Sequence, residues 1–205
     1  MTVQERIREI KALSQGYHLV QAMRELSGSA AAGDEQALEV LTGMLAECRS
    51  AESWARSSSY CSAVVHAVAQ TGTLRSMQLL IRCVSEFDEE MPYGAVELFS
   101  SILPTYKRIV MGPLKDLIET GPGPARAVGL QSLCNLYLDG QLQGEEIRYL
   151  TGCLKKFTQD DYLTLHVADL VRLEISYKEK QAEEDLNGML DGFLLEDPEG
   201  PAPST

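Results

Sequence analysis

The chain has 205 residues, 44% of them hydrophobic and 23% charged, with Lys plus Arg at 18 against Asp plus Glu at 30 and a net charge of −12. That length is enough to bury the core of one domain or of a repeat array. Affinity for nucleic acid and for anionic lipid surfaces rests largely on cations, so the acid excess argues against both as default partners. No stretch approaches the ~20 apolar residues of a membrane span. The first segment, MTVQERIREIKAL, is charged and helical and holds no apolar leader core. Cys48, Cys61, Cys83, Cys134 and Cys153 stand singly, never as CxxC, which points to reduced thiols packed as small hydrophobes. The expectation is a cytoplasmic protein.

In chain order, Val3 to Ser14 reads as a helix with Val3, Ile7, Ile10 and Leu13 on one side, and Gly16 ends it. Tyr17 to Ser27 reads as a second, with Leu19, Val20, Met23 and Leu26 inward. GSAAAGD, from Gly28 to Asp34, is expected to be a loop, with Asp34 as the N-cap of the next helix. From there apolar columns recur at a period near that of helical repeats. In the first helix of each pair one position holds Leu41, Met77, Met111 and Ile147, at intervals of 36, 34 and 36 residues. Met44, Leu80, Leu114 and Leu150 follow in register, then Cys48, Val84, Ile118 and Leu154. In the second helix the interval is an even 34: Val65, Phe99, Leu133 and Val167. One turn on come Val68, Ile102, Leu136 and Leu170, beside Ala69, Leu103, Tyr137 and Val171. Gly72, Pro104, Gly140 and the acidic stretch Asp88 to Glu90 fall between helices, and no segment alternates as strands do. The sequence therefore predicts an all-α chain: residues 1–33 as an N-terminal helical cap, 34–176 as four stacked helical hairpins, and 177–205 as an acidic tail.

The stretch from Pro113 to Leu133 resembles a HEAT repeat. Pro113 stands early in the first helix, Leu114, Leu117 and Ile118 form its apolar face, Gly121 to Pro124 make the turn, and Arg126, Ala127 and Val128 open the second helix. The other three pairs share only the apolar spacing, and the family's usual Asp in the turn is absent. The resemblance implies a curved α-α superhelix, each hairpin covering its neighbour's apolar face, with the second helices lining a concave, ligand-facing side.

Under that register the second helices turn a polar strip away from the core. It comprises Tyr60 and Tyr162 at helix starts, Ala63, Glu97 and Gln131 in one row, and Ala67, Ser101, Asn135 and Asp169 in the next, with Gln70 and Arg172 a turn further on. Tyr60, Glu97, Gln131, Asn135, Asp169 and Arg172 are thus the expected contacts for a protein or peptide partner. No catalytic residue, metal ligand or cofactor site is expected. His18, His66 and His166 are too far apart in the pattern to make a metal site, and His66 shares a column with Ser100, Cys134 and Ala168, which predicts a packed or half-buried ring. There is no nucleophile elbow and no phosphate-cradling glycine loop. Arg75, Arg82, Lys107, Arg108, Lys115, Arg148, Lys155 and Lys156 gather on the first helices of the last three pairs and leave those helices at a net +3.

From Lys178 on, eight acids and two lysines carry −6, half the charge of the chain. Within this tail Leu186, Met189, Leu190, Phe193 and Leu194 follow helical spacing, predicting a short amphipathic helix over 184–195 that docks on the last repeat or in a partner's groove. EDPEGPAPST has no apolar content to fold around. The functional expectation is a non-enzymatic, protein- or peptide-binding scaffold. The alternatives are a HEAT-like enzyme of bilin lyase type or a structural homodimer. An alkylpurine DNA glycosylase is opposed by the charge and by Trp54 being the one tryptophan.

Overall fold

Helix ends are set by short polar capping residues. Thr2 Oγ1 accepts from Glu5 N at 3.2 Å while the Glu5 carboxylate takes the Thr2 amide at 2.6 Å, a reciprocal cap at the first helix. Asp34 Oδ1 accepts from Gln36 N and Ala37 N, as the sequence predicts. Thr73 and Ser76 form another such pair, and Gly33, Gly72 and Gly140 leave their helices at φ +96°, +64° and +67°. The computed structural model describes residues 2–13, 17–87, 90–157 and 166–194. Among the described residues the regular structure is helical throughout, with no strand. The elements are α1 (Val3–Ala12), α2 (Tyr17–Ala31), α3 (Glu35–Glu47), α4 (Ala51–Gln70), α5 (Leu74–Ser85) and α6 (Tyr93–Ile102). A 3₁₀ segment (Leu103–Val110), α7 (Met111–Thr120), α8 (Gly123–Leu138), α9 (Gly144–Lys156) and α10 (His166–Leu194) follow.

The helices pack in sequence order. α1 lies on α3, α3 on α5 and α5 on α7, while α2 lies on α4, α4 on α6, α6 on α8 and α8 on α10. Odd and even rows are joined by α1 with α2, α3 with α4, α7 with α8 and α9 with α10. The expected columns supply this core. Leu41, Met44, Cys48, Met77, Leu80, Val84, Leu114, Ile118, Leu150 and Leu154 are buried on odd helices, and Val65, Val68, Phe99, Ile102, Leu133, Leu136 and Val171 on even ones. α8 is covered most completely, with α6, α7, α9 and α10 around it. Its Gly129 sits so close to α7 that a Cβ there would meet Ile118 Cγ1 at 2.9 Å and Leu114 O at 3.0 Å.

Several boundaries differ from the sequence reading. α2 continues to Ala31, because Ser29, Ala30 and Ala31 extend the helix and Gly28 faces open space. Pro104 opens no simple break: Leu103–Val110 turns as a 3₁₀ segment held by Tyr106, whose hydroxyl is 2.9 Å from Ser76 Oγ and donates to Ala69 O at 3.2 Å. The division at 176/177 and the separate helix over 184–195 give way to one continuous α10, since the run from Val171 to Leu186 holds no Gly or Pro to stop it. Leu170 was expected inside but is 59% exposed; among the described residues α10 packs on α8 and α9, so Val171 and Ile175 turn inward while Leu170 and Leu173 face away. Val20, Leu13 and His66 are likewise exposed. The acidic 88–89, Tyr162 and the last eleven residues lie outside the described residues, as do the side chains of Met189, Leu190, Phe193 and Leu194; Leu186 is 58% exposed.

Candidate functional site

A groove of about 840 Å³ lies between α4 and α6. Its walls are made of small side chains: Ala55, Ser58, Ser59 and Ser62 from α4, Gly94, Ala95 and Ser101 from α6. Two packed helices that face each other with Ser, Ala and Gly leave a depression where larger residues would interdigitate. Pro92, Trp54 and Leu98 add apolar surface, and Glu97 is the one charged residue among the described residues that line it. Trp54 is buried at the base, its indole N–H donating to Cys48 O at 2.8 Å and its ring 6.5 Å from that of Phe99.

α4 is broken at this site. Ser57 has φ −156° and ψ 76°, so the helix before it, which carries Trp54 and Ala55, is offset from the part carrying Ser58, Ser59 and Ser62. This offset explains why the expected strip is one position out on α4. Tyr60, Ala63 and Ala67 turn toward α3 or the core, while Ser59, Ser62 and His66 take the outward positions. Tyr60 lies across the helix from the groove: its hydroxyl donates to Glu47 Oε2 at 3.5 Å, and the Lys11 ammonium stands 5.8 Å from its ring. Burial, then the Glu47 carboxylate, push the Tyr60 hydroxyl well above the ordinary phenol range.

Of the expected contact residues, Glu97 on α6 does line the groove, together with Ser101. Gln131 does not. It is 3% exposed, and Ser100 Oγ donates to its Oε1 at 2.9 Å. Asn135 is half-buried and its Nδ2 donates to Ser100 O at 2.9 Å. These two amides tie α8 to α6, because α8 is enclosed and any polar side chain on it must find a partner inside. Asp169 and Arg172 are on α10, paired with each other at 2.7 Å and away from the groove. The signal that marks the groove in the sequence is the run Arg56-Ser57-Ser58-Ser59 with Trp54, followed by Pro92-Tyr93-Gly94: clusters of small residues where helix faces ought to be filled.

The basic residues of the odd helices are largely neutralised. Arg75 pairs with Glu35 at 2.5 Å, Arg82 with Glu86 at 2.6 Å, Arg148 with Glu145 at 3.7 Å and Lys155 with Glu179 at 4.0 Å. Arg49 also reaches Glu86, and the two guanidiniums, Arg82 first, hold the Glu86 carboxyl below its usual range. Lys107 and Arg108 sit on the 3₁₀ segment rather than on an odd α-helix. All five cysteines are buried and free. Burial pushes the Cys83 and Cys134 thiols up to about 12. Among the described residues no group of three or more His, Cys, Asp or Glu side chains is placed to hold a metal ion, and no helix is long and apolar enough to cross a membrane. Compared with known proteins, the chain matches no family model, no curated protein and no solved structure.

Proposed function

We propose that this chain is a non-enzymatic, HEAT-like binding module of the cytoplasm that takes a segment of another protein into the groove between α4 and α6. The observation that carries the reading is the groove itself: about 840 Å³, apolar at Trp54, Ala95 and Leu98, hydroxyl-bearing at Ser58, Ser59, Ser62 and Ser101, and acidic at Glu97. Such a lining suits an apolar side chain flanked by backbone amides and carbonyls, with a basic residue beside Glu97. Packing of helix pairs in sequence order, odd on odd and even on even, supports a repeat array whose second helices carry the binding face. The uncovered Leu170, Leu173 and Tyr177 on α10 favour a second reading, a homodimer through the last helix. Sedimentation as a monomer at high concentration would exclude that one.

A displayed library of random peptides panned against the folded chain tests the main reading. Retained peptides should carry an apolar residue next to Lys or Arg. Their binding should vanish in Gly94→Phe, because a Cβ on Gly94 enters open space and the ring fills the groove without touching the core. Peptides that bind wild type and Gly94→Phe equally would refute the groove as the site.

A further inference from the structure

α9 and α10 hold a cavity of about 180 Å³ between them, with Leu154 and Lys155 of α9 and Arg172, Ile175, Ser176 and Glu179 of α10 in its walls. Arg172 is only half satisfied there. Its Nη1 donates to Asp169 Oδ1 at 2.7 Å, one turn back on the same helix. The other edge of the guanidinium, Nε and Nη2, is closed to solvent and meets no acceptor among the described residues. Buried donors nearly always find an acceptor, and leaving one unpaired is costly, more so on a charged group. Two such donors on one side chain mark a place that a further group would complete.

We propose that this cavity binds a small monocarboxylate with a short apolar stem, its two oxygens on Nε and Nη2 of Arg172 and its stem against Leu154 and Ile175. The two N–H bonds of that edge run side by side, the fork that pairs bidentately with a carboxylate. Leu154 and Ile175 are buried and supply the apolar wall. Lys155 and Glu179 stand 4.0 Å apart, with side chains 73% and 56% exposed. So long and so solvated a pair is worth little, and the Lys155 ammonium can turn to the bound anion. Ser176 is exposed and adds a hydroxyl donor.

Size and charge narrow the class. The volume of about 180 Å³ is that of roughly six waters at ~30 Å³ each, room for a carboxylate and about three or four carbons. Arg172 and Lys155 are already matched by Asp169 and Glu179. A phosphate dianion would meet those two carboxylates with no surplus of cations, whereas a carboxylate brings a single charge. A free acid and the C-terminal residue of a peptide share this chemistry. The residues named here do not line the groove between α4 and α6, so the two sites stand or fall separately.

The test is a titration of the folded, isotope-labelled full-length chain with isovalerate, followed by amide chemical shifts. Wild type should show saturable shifts gathered on α9 and α10, and the neutral isovaleramide and inorganic phosphate should give none. Acetylvaline that binds more tightly than isovalerate supports the proposal with a chain terminus as the source; weaker acetylvaline supports it with a free acid. Arg172→Lys keeps the charge but loses the fork, and should bind isovalerate roughly tenfold more weakly. Arg172→Met should bind none, yet melt no lower than wild type, because it removes two unpaired buried donors and leaves Asp169, 57% exposed, to solvent. Both variants are compared after circular dichroism shows the helix content of wild type. Wild type without saturable shifts overturns the proposal without reference to any variant. So does binding of the amide or of phosphate as tight as that of isovalerate, Arg172→Lys that binds like wild type, or Arg172→Met that melts lower.

Discussion

A close approach of α8 to the backbone of α7 offers a prediction whose sign is opposite to the usual rule. Gly129 lies in the interior of α8, where replacing Gly by Ala ordinarily stabilises a helix by about 0.5–1 kcal/mol. Here the added methyl would sit 2.9 Å from Ile118 Cγ1, 3.0 Å from Leu114 O and 3.3 Å from Leu117 Cβ. The isoleucine can rotate, but the Leu114 carbonyl is backbone on a helix held by α5 and α8, so α7 must move outward. Overpacking of this kind costs typically ~1–3 kcal/mol, which outweighs the propensity gain and leaves a net loss of about 1–2 kcal/mol. For a chain of this size that lowers the melting temperature by roughly 3–6 °C. Gly152 on α9 is the control, since a Cβ there meets nothing within 4 Å. Gly152→Ala should raise stability by about 0.5–1 kcal/mol. Both are read by thermal melting and by urea titration on circular dichroism. A Gly129→Ala variant that melts at or above wild type would mean that α7 and α8 do not lie at this separation.

Leu133 is fully buried at the centre of α8, and Leu133→Ala should cost ~2–5 kcal/mol in urea unfolding; a loss under half a kcal/mol would contradict the column register. The buried thiols make stability fall in alkali. Cys83 and Cys134 titrate near 12 when folded, above the ~8.5 of a free thiol, so their contribution is complete below that lower value and is lost as pH rises toward 12. By pH 10 the loss is about 1–2 kcal/mol per thiol, and Cys134→Ala should flatten the decline between pH 8 and 10; an unchanged slope would show Cys134 is not the source. Truncation after Ser176 keeps Val171 and Ile175 and removes Lys178, which bonds Tyr137 Oη at 3.1 Å and lies 5.2 Å from its ring. The expected loss is under ~1–2 kcal/mol, whereas a collapse of the melting transition would place an unrecognised packing surface on the distal part of α10.

What the sequence disclosed followed from physics local to one helix face. The columns through Leu41, Met77, Leu114 and Leu133 were readable because burial on one stripe leaves a period of three and four, and a covering neighbour on each side repeats it. The outward rows were harder, because they assume that every helix is regular and half-solvated. On α4 the break at Ser57 lets Ser59 and Ser62 reach the surface in place of Tyr60 and Ala63. On α8 the surrounding helices bury Gln131 beside Ser100, a polar pair that periodicity cannot separate from a solvent-facing one. The last helix failed differently: Leu170 fits the column, but a column is buried only where another helix covers it, and Leu170 is 59% exposed.

If a partner segment lies between α4 and α6, photo-crosslinking from the groove walls captures it. Benzoylphenylalanine placed at Ser59 or Ser101 samples the groove, and at exposed Gln78 on α5 it samples the odd row. In the host cell, irradiation should give a discrete adduct from Ser59 and Ser101, with one partner peptide identified by mass spectrometry, and no adduct when Gly94→Phe is added. Adducts that arise from Gln78 and not from the groove positions would contradict it.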